Sequence, residues 1–259
     1  MCYAASALRL KGKTAIVTGA GSGIGRAIAT AFAHEGGNVA LVGRRREPLA
    51  ETARSCGKNR IVICADLRKP ADIDRIVKET VHRFHALDIV VNNAGALVAG
   101  TVQNQTEDDF DLMMDVNVKA VWLLSRAALP HLLARKGGSI INISSVLGLI
   151  GMRNRLGYCA SKGAVTLMSK AMAMDLGTQN VRVNCICPGI VETEMVADFI
   201  HKAPDPDAAR RARESLHAMN RFGQPEEIAG CAVFLASDES RWVTGAAIPV
   251  DGGYLAGKA

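Results

Sequence analysis

Residues 14–25 read Thr14-Ala-Ile-Val-Thr-Gly19-Ala-Gly-Ser-Gly23-Ile-Gly25, and this stretch decides the fold. Its first five residues are apolar or β-branched, the pattern of a strand buried on both faces in a parallel sheet. Glycines follow at 19, 21, 23 and 25. Ile24, Ile28 and Phe32 then recur every four residues, with Ala27 and Ala31 alongside, which is one face of a helix. A second apolar run at Asn38–Gly43 completes a unit of strand, glycine turn, helix and strand. The alternation continues along the chain. Strands are expected at 60–65, 88–91, 139–144, 181–186 and Ala247–Val250, and helices at 71–84, 107–135, 157–177 and Pro225–Ala236. Pro130 falls inside the helix at 107–135, where its missing N–H predicts a kink.

Seven strands alternating with helices predict an α/β fold: a doubly wound, seven-stranded parallel sheet with helices on both faces. The chain has 259 residues, 49% of them hydrophobic, which suits one domain spanning 1–259 with a large core. The stretch at 191–221 is the least regular, holding Pro204, Pro206, many charges and two short helical patterns. Ligands of open α/β sheets bind beyond the carboxyl ends of the strands. No apolar run reaches the ~18 residues of a membrane span, so no membrane helix is expected. Met1 to Leu10 lacks the features of a signal peptide. The seven cysteines are odd in number and scattered, and Cys185 and Cys187 lack partners at metal-binding spacing. They read as reduced thiols of a cytoplasmic protein that binds no metal. The net charge of +6 suits an anionic ligand. No basic stripe is interleaved with aromatics, so nucleic acid is not an expected partner.

The glycine turn joins a strand to a helix, so its backbone amides can approach a pyrophosphate at the helix N-terminus. No Lys-Ser/Thr pair closes the turn, which excludes a mononucleotide P-loop. Farther along, Tyr158 and Lys162 stand four residues apart in Tyr-Cys-Ala-Ser-Lys, thirteen residues after Ser145. On a helix that separation places both side chains on one face. A lysine ammonium favours a neighbouring phenolate. Lowering a tyrosine pKa from ~10 to ~7 takes roughly 4 kcal/mol, which an exposed pair does not supply and a partly buried pair beside a further positive charge does.

The spacing of Gly19, Gly23 and Gly25 resembles the short-chain dehydrogenase/reductase family. So do Asn92-Asn93-Ala94-Gly95, Asn117, Ser145, Tyr158-x-x-x-Lys162 and Pro188-Gly189, in the family's order and over almost the whole chain. The resemblance implies a Rossmann-type sheet binding a nicotinamide dinucleotide. It implies that Tyr158 is the general acid or base toward a carbonyl oxygen, and that Lys162 lowers its pKa and holds the nicotinamide ribose. Ser145 would hydrogen-bond the substrate oxygen, with Ser144 its rival, and Asn117 would hold a water linking Lys162 to solvent.

Around the cofactor, the resemblance implies that Gly19, Ser22, Gly23, Ile24 and Gly25 line the pyrophosphate turn. Asp66 and Leu67 would flank the adenine, and Asn93, Ala94 and Gly95 the adenosine ribose. Pro188, Gly189, Ile190, Val191 and Thr193 would face the nicotinamide carboxamide. The second strand ends Gly43-Arg44-Arg45, where an acid would accept both ribose hydroxyls and repel a 2′-phosphate. Arg44 and Arg45 suit that phosphate, which predicts NADP(H) over NAD(H).

The resemblance extends to β-ketoacyl carrier-protein reductases, and so to a 3-oxoacyl reductase acting on an acyl carrier protein or CoA thioester. Arg135 and Lys136 lie where such enzymes place basic residues, but Gln179 replaces the second basic position. NAD(H)-dependent sugar, polyol and other secondary-alcohol dehydrogenases of the family share every motif named here, and a non-catalytic dinucleotide-binding regulator would share the fold. A substrate lid at about 191–221 and a homotetramer are implied in the same way. Arg153 and Arg155 precede Tyr158 and raise the expectation of an anionic or phosphorylated substrate.

Overall fold

A computed structural model describes residues 8–257 of the chain. The reading of Met1 to Leu10 as no signal peptide falls largely outside those residues. Seven parallel strands form one sheet: β1 (Thr14–Thr18), β2 (Asn38–Gly43), β3 (Arg60–Cys64), β4 (Ile89–Asn92), β5 (Gly138–Ile143), β6 (Val181–Pro188) and β7 (Ala247–Val250). Their spatial order is β3-β2-β1-β4-β5-β6-β7, so the winding reverses between β1 and β4. That reversal opens the crevice in which such sheets bind ligands.

All five residues of β1 are buried, as a strand covered on both faces requires. Its side chains alternate between two cores. Ala15 and Val17 join Ile28 and Phe32 of α1 (Gly23–His34), Leu49 of α2 (Arg46–Ser55) and Ile228 and Ala232 of α9 (Pro225–Ala236). Ile16 faces the other way, toward Ile73 and Ile76 of α3 (Pro70–Phe84), Leu124 and Leu132 of α5 (Ala120–Ala134) and Ala173 of α6 (Leu156–Leu176). Each large aliphatic or Phe side chain buried this way contributes roughly 1.5–3 kcal/mol.

The expected long helix at 107–135 is not one regular rod. It divides into α4 (Glu107–Met114), a π-turn at Asp115–Lys119 and α5. α5 runs through Pro130, and an irregularity the sequence did not announce lies at the π-turn that holds Asn117. The physical reason is a side-chain tie. Asn117 Oδ1 accepts from Ala96 N–H at 2.7 Å, and Nδ2 donates to Ala96 O and Ser161 Oγ, both at 2.9 Å. These bonds hold Asn117 between the loop after β4 and helix α6, in the kind of insertion common at functional sites. The irregular stretch at 191–221 carries α7 (Glu194–His201) and α8 (Pro206–Glu214). Among the described residues no helix is long and apolar enough to cross a membrane.

Candidate active site

The glycine turn is pinned to the end of β4. Asn93 donates from Nδ2 to Thr18 O at 2.8 Å, and its backbone N–H donates to Thr18 Oγ1 at 2.9 Å. Ala94 N–H also donates to Thr18 Oγ1. Two glycines are fixed by crowding. A Cβ on Gly19 would lie 2.7 Å from Asn93 Nδ2, at a φ of +66° that disfavours any side chain. One on Gly25 would lie 2.2 Å from Gly19 O. Beyond the turn, α1 opens at Ser22 with no side-chain cap and no acid in its first turn. Its free N–H groups and positive dipole end suit a pyrophosphate. Ile24 lies in that first turn. Thr193, the cap of α7, stands over Gly23, where an added Cβ would come within 2.9 Å of its methyl group.

Tyr158, Lys162, Ser145 and Asn117 converge at the carboxyl ends of β4 and β5. Lys162 is 4% exposed, and its Nζ donates to Ile143 O at 2.8 Å. That Nζ lies 5.7 Å from the centre of the Tyr158 ring. A Cβ on Gly95 would sit 3.3 Å from Asn117 Oδ1 and 3.6 Å from Lys162 Nζ, so the glycine leaves space beside both. The two serines separate clearly. Ser144 Oγ donates to Lys162 O at 2.9 Å and pairs with Thr166 Oγ1 at 2.8 Å, deep in the core. Ser145 Oγ accepts only from Leu147 N–H among the described residues, so its own proton is free to donate.

In the free protein burial governs both members of the Tyr158/Lys162 pair. Burial pushes the Tyr158 hydroxyl up to about 12, with the Ser145 hydroxyl pulling the other way. Burial likewise brings Lys162 down to about 8. Both groups lose solvation when charged, and the ammonium is directed at Ile143 O.

The adenosine side is mixed. Leu67 packs against the core face shared by α3 and α5. Asp66 is engaged by Arg68, which donates to its carboxylate at 2.6 Å and holds its pKa down at about 2, with Arg44 adding to the effect. This is the geometry of an Asx turn as much as of a base-binding group. Gly43 ends β2 and packs against Leu49, while Arg44 and Arg45 are exposed and form no ion pair among the described residues. Pro188 ends β6, and Gly189, Ile190 and Val191 follow it toward Gly223, which pairs with Val191. A cavity of about 610 Å³ lies behind the glycine turn, lined by Gly23, Ala27, Thr193 and Pro225, and not over Tyr158. The Arg135 side chain, expected to meet a carrier protein, is paired with Asp88 at 2.8 Å.

A family model described as enoyl-(acyl carrier protein) reductase matches residues 19–255. The chain belongs to the short-chain dehydrogenase/reductase family. It is 39% identical to an uncharacterised oxidoreductase of Thermotoga maritima, covering 96% of this chain and 100% of that one. It is 36% identical to a 3-oxoacyl-(acyl-carrier-protein) reductase of the same organism over 96% of this chain and all of that one. A crystal structure from Sinorhizobium meliloti, described as a candidate short-chain alcohol dehydrogenase, superposes with a TM-score of 0.90 at 34% identity, covering 97% of this chain and 99% of that one. As a family member the chain is an NAD(P)-dependent oxidoreductase.

One supporting side chain of this dehydrogenase carried no sequence signal. His217 is 3% exposed, and its Nε2 accepts from Ile190 N–H at 3.1 Å. Its Nδ1 faces Arg213 O at 3.1 Å, which fixes the neutral tautomer with the proton on Nδ1. His217 therefore ties the segment after Pro188-Gly189 to the chain leaving α8. Only the fold brings residues 190 and 217 together, so no local spacing announces the pair.

Proposed function

We propose that the chain interconverts a ketone and a secondary alcohol by direct hydride transfer, using NADP(H). The reading rests on one observation above all: Lys162 Nζ, buried 5.7 Å from the Tyr158 ring, shares its pocket with the Ser145 hydroxyl. Tyr158 holds its proton at neutral pH and offers it to a carbonyl oxygen, or receives one from an alcohol in reverse. Ser145 donates a hydrogen bond to that oxygen as charge develops. Lys162 has one protein acceptor among the described residues for its three protons, which leaves donors for the hydroxyls of a ribose. When bound, the nicotinamide dinucleotide supplies or accepts the hydride and, in its oxidised form, a positive charge. Asn117 holds the floor between Ala96 and Ser161 so that Lys162 keeps a route to solvent.

The crowded Gly19 and Gly25, the uncapped α1 and the space at Gly95 support a dinucleotide lying along the β1–β4 crevice. Gly23, Ile24, Asn93, Ala94, Gly189, Val191 and Thr193 border that path. Asp66 and Leu67 would border its adenine end. The unpaired Arg44 and Arg45 after Gly43 support a 2′-phosphate, hence NADP(H). α7 and α8 would form a lid over the substrate, and the assembly would be a homotetramer. Steady-state rates at 340 nm with a ketone panel test the cofactor choice. NADPH is expected to give at least about tenfold higher kcat/KM than NADH, or about 1.4 kcal/mol. A tenfold preference for NADH would reject the assignment.

A further inference from the structure

Two arginines meet on one ring at the mouth of this site. The Arg155 guanidinium lies 5.4 Å from the centre of the Phe199 ring, and that of Arg213 lies 4.6 Å from it. Arg155 comes from the residue that caps α6, three positions before Tyr158, while Phe199 and Arg213 come from α7 and α8. The three elements are thus brought together only by the fold. Both guanidinia are half-buried and Phe199 is 43% exposed, so the cluster faces solvent at its outer side.

Neither arginine has a carboxylate partner among the described residues. Arg155 donates to Asn154 O at 2.8 Å and Arg213 to Ala209 O at 2.7 Å, both backbone carbonyls. Neighbouring arginines behave differently: Arg210 is paired with Glu192 and Glu214, and Arg221 with Glu227. Asp198 lies beside Phe199 in the chain but makes no ion pair with either guanidinium. The first turn of α6 holds no acid either, so its dipole adds to the positive field. Two like charges resting on one ring repel each other, and an outside anion would relieve that repulsion. The charge of Arg155 also reaches the Tyr158 hydroxyl, acting to lower its pKa.

We infer that Arg155 and Arg213 form an anion subsite, with Phe199 as its platform, that selects ketones carrying a carboxylate, sulfonate or phosphate group. This rests on the ketone reduction proposed above and names its substrate class. The planar forks of two arginines suit a bidentate oxyanion, and the ring holds them in place by cation–π contact. Binding the anion would also draw α7 and α8 toward α6.

The test compares 3-oxobutanoate, 4-oxopentanoate, 5-oxohexanoate and 6-oxoheptanoate with their methyl esters, using NADPH and the full chain. At least one acid is expected to exceed its ester in kcat/KM by about tenfold or more, the scale of a charge-assisted hydrogen bond. That ratio should fall toward one in Arg155→Gln/Arg213→Gln, and partly in Phe199→Leu, whose exposed position spares folding. Using the ratio cancels any change in proton transfer. A parallel arm compares 3-oxobutanoyl-CoA with its pantetheine thioester, which carries no nucleotide phosphates. A preference confined to that arm, and lost in the double variant, assigns the anion to phosphate. Calorimetric binding of hexanoate, which cannot be reduced, reads the subsite without turnover, and should weaken at least tenfold in the double variant. Ester turnover without any acid or CoA preference would overturn the subsite and leave the ketone reading standing. Hexanoate binding that depends on the two arginines, with no ketone turned over, would support the subsite and defeat the ketone reading.

Discussion

The floor of the site and the segment above it are built by different means. The floor is a set of buried or half-buried polar groups with mutual partners: Asn93 on Thr18, Asn117 on Ala96 and Ser161, Lys162 on Ile143. The segment at 191–221 is held by half-exposed pairs, Arg210 with Glu192 and Glu214, and by arginines resting on Phe199. Buried polar groups cannot be exchanged without leaving a partner unsatisfied, so the floor admits few sequences. Pairs that keep contact with solvent are worth little each, and the segment above is free to vary with the substrate. The contrast places the shared chemistry below and the selectivity above.

Substitutions should follow that division. Gly25→Val would drive a side chain into Gly19 O, where even a Cβ lies at 2.2 Å, and the unfolding free energy from urea titration should fall by more than about 3 kcal/mol, or the chain should not fold. A loss below 1 kcal/mol would mean the turn can yield, and the floor is softer than described.

Lys162→Met should act in the opposite direction. The free protein loses about 3 kcal/mol at pH 7 by keeping a Lys162 ammonium whose pKa has dropped from 10.5 to about 8. The unfolded chain holds that proton up to its higher pKa, so stability must rise with pH between about 8 and 10.5. Wild type should therefore gain on Lys162→Met by about 2 kcal/mol between pH 7.5 and 9.5. A pH-independent difference would show that Lys162 is better solvated than its 4% exposure implies.

His217→Ala, at the joint between the two regions, strands the Ile190 N–H and should cost about 1–3 kcal/mol in urea unfolding. Arg210→Gln, on the outer segment, should cost less than about 1 kcal/mol, because its partners stay solvated. An equal loss from the two would erase the distinction between floor and cover.

The floor was also the legible part. The strand, glycine turn and helix at 14–34 follow from alternation and periodicity, and the sheet from its repetition. Tyr158 and Lys162 announce themselves because a helix turns four residues into one face. What escaped depended on contacts remote in sequence. The π-turn at Asn117 carried no local signal, because the partners that hold it lie on another loop and helix. The direction of the Tyr158 shift depends on burial, which spacing does not encode. His217 reaches Ile190 across the whole of α7 and α8, and Phe199 collects two arginines from separate elements.

The proton-transfer role of Tyr158 is tested most directly by Tyr158→Phe, with kcat for ketone reduction and the NADPH dissociation constant measured on one preparation. Removing only the hydroxyl should lower kcat by at least about 10³-fold, within the range of general acid–base catalysis, and leave the dissociation constant within about twofold. Turnover within tenfold of wild type would contradict the account.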